Sequence, residues 1–374
     1  MRLNDYIQAS PEAKKDWAES INMSVGLSYF GGKSQIGKYL LNKFFNMTVQ
    51  MCQKGQRPDI FVDAFTGGGK IGLTVPYGWY DTIVMNDIDV GVYNYFKYIQ
   101  GRNKDTESTD YLALIYMIEK LGEIMSEDIF HMCARERCSD KIDDLSSAAM
   151  TFWTTQASWM GDTDPDTISY SLKPSKDDKE TDLSMVKTLL KKNEPQEIQK
   201  CIKEAHRRIP KLHDRFMRQN YILENLDYRE LIKKYNGMWY TDLGEMEHRE
   251  EELGSLTKLW YFDPPYHPCT LSQGKSAPYA STFSEEMTNE MTEILHGDFA
   301  ETYGMLEYFM KSDYDPKEKV PEGNDNYHDF DCLEKPPFCK ICVGSFDKGA
   351  IDGDGVKSIG NEYIWCRGYE EPED

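Results

Sequence analysis

Positive charge is scarce in this sequence. Over 374 residues, 43 Lys and Arg face 64 Asp and Glu, a formal net charge of −21. A protein that coats nucleic acid needs Lys and Arg for the phosphates, so that class is excluded, although a local basic surface is not. No apolar run reaches the roughly 18–20 residues that span a bilayer. Residues 1–17 also lack the apolar core of a signal peptide, so the expectation is a cytoplasmic protein with no membrane partner. The nine cysteines are an odd number, which fits reduced thiols better than a disulfide framework. The seven histidines show no metal-ligand spacing, and no fixed-period repeat or low-complexity tract occurs. What is present is a chain 40% hydrophobic and 13% aromatic, enough to exclude wholesale disorder. Its length suits one large α/β domain with an insertion, or two domains.

The first informative stretch is LSYFGGKSQIG, residues 27–37. Ile36, Leu40, Leu41, Phe44 and Phe45 follow at helical spacing, with Ser34 able to cap and Gly55 beyond the end. Glycines and Lys33 at a helix N-terminus favour an anion. A nucleotide P-loop would need glycine at position 27, which is Leu27. DIFVDAFTGGGKIGL, residues 59–73, then reads as a buried strand over 60–64 broken by Gly67, Gly68 and Gly69. A second buried strand over 82–87 ends in Asp87, 24 residues after Asp63. Strand, glycine turn, crossover and acid-ended strand form the logic of a doubly wound nucleoside-binding unit, in which the acid accepts ribose hydroxyls. A tight turn followed by a helix-capping Asp uses the same residues, and this segment alone leaves both open.

Residues 101–215 change texture. Residues 103–144 carry eleven acids against five basic residues, and 151–171 are polar and aromatic, with Phe152, Trp153, Trp159 and Tyr170. Residues 187–218 then reverse sign, with ten basic residues against four acids. Lys200, Lys203, Arg207 and Lys211 recur at helical spacing, and Pro210 is expected to kink or end that helix. Such a run is commonly a solvated face. In so acidic a chain it is read as a phosphate-contacting surface for DNA. The α/β texture returns with a strand and capped helix over 220–232, a strand over 259–263 stopped by prolines, and a helix over 283–297 capped by Ser284. Two closing strands are expected at 340–346 and 361–366.

DPPY, at Asp263, Pro264, Pro265 and Tyr266, stands at the carboxyl end of a buried strand, where open α/β sheets bind ligands. The Asp263 carboxylate and the Pro264 carbonyl can converge on both hydrogens of an exocyclic amine. Tyr266 offers a face for stacking an everted base. The competing reading is a strand-terminating turn with a buried Tyr. Cys339 and Cys342 form a C-x-x-C without a second close pair, which favours small buried side chains over a zinc site.

In order and context, YFGGK, FTGGG, an acid ending the next strand and DPPY resemble the DNA adenine methylase (Dam-like, alpha-group) family of amino-methyltransferases, over residues 25–370. Within the middle stretch, AAMTFWTTQASWMGDT and ISYSL are loosely similar to that family's aromatic recognition segment. The resemblance implies a Rossmann-like α/β methyltransferase sheet with helices on both faces. Its catalytic parts would be residues 1–100 and 216–374, around a mainly helical target-recognition insert at 101–215. It implies S-adenosylmethionine as donor, contacted by Tyr29 and Lys33. Phe65, Gly67 and Gly69 would wall its methionine part, Asp87 would bind the ribose, and Asp227 would neighbour the adenine. Asp263, Pro264, Pro265 and Tyr266 would grip the target base. The activity implied is methylation of the N6 amine of a flipped adenine in double-stranded DNA by a monomer. Methylation of the cytosine N4 amine and a catalytically idle binding module on the same fold are the alternatives.

Overall fold

The structure is a computed structural model that describes residues 1–22, 26–29, 37–101, 109–158, 161–172, 194–236, 256–265, 284, 286–287, 290–291, 294–295, 303–308, 338–351 and 357–367. Apolar runs too short for helices become the central strands: β1 (Ile60–Asp63), β2 (Thr82–Asn86), β3 (Asn220–Glu224) and β4 (Lys258–Phe262). β1 and β4 are buried at every position, as strands covered on both faces must be. β5 (Tyr303–Tyr308), β6 (Phe338–Ile351) and β7 (Lys357–Arg367) complete one seven-stranded sheet in the order β3-β2-β1-β4-β5-β7-β6. The first five positions are parallel; β7 runs antiparallel to both β5 and β6. The chain steps outward from β1 to β2 and β3, then returns to β4. The order therefore reverses between β1 and β4, the place where a doubly wound sheet opens a crevice. The two closing strands lie where the sequence suggests, extended to form a hairpin.

Helices cover both faces. On one side lie α3 (Gly37–Gln53) and α4 (Val90–Gln100), whose apolar stripes meet Phe61, Ile83, Leu259 and Tyr261.

 The opposite face is covered by α9 (Tyr228–Asn236), through Tyr228, Leu231, Ile232 and Tyr235, with Met291 and Leu295 beside it. α5 (Asp110–Glu123) packs on the α4 side together with α6 (Glu127–Glu136), α7 (Asp144–Ala157) and α8 (Glu194–Arg218). At the N-terminus, α1 (Leu3–Gln8) and α2 (Pro11–Ser20) bring Tyr6 and Trp17 onto Phe45 and Trp79. Among the described residues no helix is long and apolar enough to cross a membrane.

All of α5 to α8 lies within the single connection from β2 to β3. Trp153 and Ile202 belong to the same apolar core as Phe61 and Tyr261, so that core runs across positions 100 and 215 without a seam. One expectation is corrected here. Pro210 neither ends nor interrupts α8, because Ile209, Leu212 and Phe216 are anchored in the core on either side of it; packing outweighs the one lost backbone bond. Phe152, Trp153 and Tyr170 are buried, and the Trp153 indole donates to the Ile118 carbonyl at 2.9 Å.

Candidate functional site

The carboxyl ends of four adjacent strands bring the candidate residues to one edge of the sheet. Asp227 follows β3, Asp87 follows β2, Asp63 ends β1 with Phe65 and Gly67 just beyond, and Asp263 and Pro264 follow β4. Asn86 ties this edge together: its amide donates to the Ala64 and Leu226 carbonyls (3.0 and 3.1 Å) and accepts from the Leu226 N–H (3.0 Å). The Thr66 N–H donates to the Asn86 carbonyl at 2.8 Å, which fixes the start of the glycine turn.

The glycine turn is pressed between the chain's own segments. Gly67 has φ +48°, and a Cβ there would come within 3.0 Å of the Tyr29 ring. A Cβ on Gly68 would meet the Leu27 carbonyl oxygen at 2.6 Å, while one on Gly69 would enter the core against Phe96. Only glycine permits these approaches. Tyr29 is thus brought onto Gly67, whereas Gly69 faces the core. The connection from β1 to β2 then consists of turns rather than an α-helix. The Phe65 ring lies 6.2 Å from Tyr228 and 6.5 Å from Phe262, on the α9 side of the sheet rather than beside Tyr29.

Asp87 is half-buried and held at both oxygens: Oδ2 accepts from the Gly67 N–H at 2.6 Å and Oδ1 from the Asp89 N–H at 2.9 Å. Burial and the neighbouring Asp89 charge push it up to about 7. Asp63 is fully buried and accepts from the Gly72 N–H at 2.9 Å. Burial, with the Asp263 and Asp87 charges adding, pushes it up to about 8. Asp89 caps α4 by accepting from the Gly91 and Val92 N–H groups. Against the cost of burial, the Arg137 guanidinium holds Asp89 below the usual carboxylate range. Burial and the charges of Asp89 and Asp87 also raise the Tyr29 phenol. Of the four carboxyls, Asp89 is neutralised by Arg137 and Asp63 holds its proton at neutral pH, which leaves Asp87 and Asp263 as the groups whose ionised forms would favour a cationic ligand centre.

Asp227 starts α9 and accepts from the Arg229 N–H at 2.9 Å; Arg229 also pairs with Glu290. Its carboxylate is therefore engaged in a local turn. Lys33 and Tyr266 lie outside the described residues. On α8, Lys200, Lys203, Arg207 and Lys211 are all exposed along one stripe. Lys200 pairs with Glu197 at 2.7 Å and Arg207 with Glu204 at 2.5 Å, whereas Lys203 and Lys211 have no ion-pair partner among the described residues. Sequence reasoning missed Asp63, although an acid ending a buried strand is the same signal that marks Asp87. Arg137 carries no local signal, since its partner lies 48 residues away. No family model and no curated protein matches the chain.

Proposed function

We propose that this chain is an S-adenosylmethionine-dependent methyltransferase acting on the N6 amine of adenine in DNA. The observation that carries the proposal is the placing of the Gly67–Asp87 hydrogen bond and of Asp263 along one edge of the sheet, on the strands beside which the order reverses. The residues present fit the donor: Asp87 keeps a free lone-pair site on each oxygen for ribose hydroxyls, Tyr29 lies against the glycine turn, and the ionised forms of Asp87 and Asp263 suit a positive centre. When bound, the donor supplies an activated methyl group on a sulfonium.

The chain's own groups do the rest. Asp263 and the Pro264 carbonyl accept the two amine hydrogens, which turns the nitrogen lone pair out of the base ring. The Asp263 carboxylate then opposes the positive charge that grows on that nitrogen, an electrostatic role that needs no strong base. Holding both reactants in one crevice supplies roughly 7–11 kcal/mol of the barrier reduction. The exposed lysines of α8 contact phosphates, confining the basic surface to one helix of an acidic protein. Incubation with labelled donor and mixed-sequence DNA, followed by digestion to nucleosides, is expected to yield N6-methyl-2′-deoxyadenosine from the wild type. Asp263→Ala should yield none while binding the donor with near wild-type affinity. Methylation at the wild-type rate in that variant would remove Asp263 from the chemistry.

A further inference from the structure

The inserted helices send one charged side chain into the sheet edge. Arg137, the residue after α6, has a side chain 1% exposed and forms a two-point ion pair with Asp89, itself 3% exposed: Nη1 to Oδ1 at 2.6 Å and Nη2 to Oδ2 at 2.5 Å. A buried pair of this kind adds little net stability over apolar side chains of the same volume, so its placement asks for another role. The surroundings are shaped around it. A Cβ at Gly91 would come within 2.7 Å of Arg137 Nη1 and 2.2 Å of Thr151 Oγ1, so glycine at 91 is what admits the guanidinium. Ser147 on α7 donates to the Arg137 carbonyl at 2.5 Å, and Asn94 on α4 donates to Ser147 at 3.3 Å. Asp89, so held, directs its N–H at Asp87 Oδ1, while the Gly67 N–H holds Oδ2.

We propose that Arg137 is a positioning residue of the donor site: acting through Asp89, it orients the Asp87 carboxylate that receives the ribose hydroxyls. The proposal rests on the donor-binding reading given above. It makes the inserted helices part of the donor site, because removing the guanidinium leaves Asp89 held by its cap to Gly91 and Val92 alone and loosens the support it gives Asp87. The ionisable groups around Asp87 are Asp63, Asp89, Tyr29 and Arg137, with Cys138 donating to Asp89 at 3.4 Å. Arg137 is the cation among them, and its loss makes Asp87 harder to ionise.

The test uses the full chain, with S-adenosylhomocysteine as probe in calorimetry across neutral pH. Wild-type affinity should rise as Asp87 ionises. Arg137→Gln keeps a donor to Asp89 but loses the charge. It should bind about tenfold more weakly at neutral pH, the size of one charge-assisted hydrogen bond, and its pH profile should shift to higher pH. A merely structural role would lower thermal stability and leave that profile in place. Should Arg137→Gln fail to fold, Gly91→Ala combined with Thr151→Ala displaces the guanidinium with every charge retained, and the same loss of affinity is expected. A folded variant with unchanged affinity and an unchanged profile overturns the proposal. Absence of binding by the wild type overturns the donor reading itself, a different result from intact wild-type binding with indifferent variants.

Discussion

Asp63 is the residue whose environment is most at odds with its chemistry. Its carboxyl ends a strand buried on both faces, with the Gly72 N–H donating to Oδ2 at 2.9 Å. Burial pushes it up to about 8, against a carboxylate value near 4 in an unfolded chain. The folded state therefore binds a proton that the unfolded state releases between those two values. Its contribution to stability is fully present below the unfolded value and is lost as pH rises toward the folded one. Asp63→Asn keeps an acceptor for Gly72 and cannot ionise. It should leave stability at acid pH close to wild type and raise it by several kcal/mol in mildly alkaline buffer. Chemical denaturation at both pH values checks this, and an equal effect at both would show that ionisation of Asp63 plays no part.

Among the elements, the strands were the most legible in sequence. Ile60 to Asp63 and Lys258 to Phe262 are short apolar runs bounded by glycine or proline, and they became the two central strands. Acids and prolines at their ends marked the sheet edge for the same reason: a strand that stops at a ligand crevice stops on polar or rigid residues. α7 was less legible. Thr151, Thr154 and Thr155 read as polar, yet all three are buried, because small hydroxyl side chains let α7 approach α4 closely. Local pattern does not report which helix a surface will meet. The basic helix was legible as a stripe, but not in which of its charges are spoken for. Lys200 and Arg207 already have acidic neighbours on α8, so the phosphate contacts of the proposed function fall to Lys203 and Lys211. Replacing both with Ala should weaken DNA binding at all sequences alike and reduce the slope of log affinity against log salt by about 2. Fluorescence titrations over a salt series measure that slope. An unchanged slope would move the DNA surface off α8.

At the scale of the whole molecule, the decisive feature is that the described helices between β2 and β3 belong to the same apolar core as the sheet. Trp153 of α7 donates to Ile118 of α5, and Gly122 of α5 stands so close to Ile202 of α8 that a Cβ would meet it at 2.8 Å. The same cluster continues through Tyr95 and Phe96 of α4 to Ile83, Leu259 and Tyr261 of the sheet. At the far end of α8, Gln219 donates to the Tyr80 carbonyl at 3.0 Å and Gly78 donates to Gln219, which fastens the helix to the start of β2. A recognition domain standing apart would unfold apart, since few contacts would cross its boundary. A shared core instead couples the two parts, so loss of either exposes apolar surface on the other. Unfolding in denaturant should therefore give one transition, with far-ultraviolet circular dichroism and tryptophan fluorescence changing at the same midpoint. Trp153→Ala should lower that common midpoint, costing roughly 3–5 kcal/mol for the cavity it leaves, while the transition stays single. Two separated transitions, with Trp153→Ala moving only one of them, would show that the inserted helices form an independent unit and that the donor site does not depend on them for its rigidity.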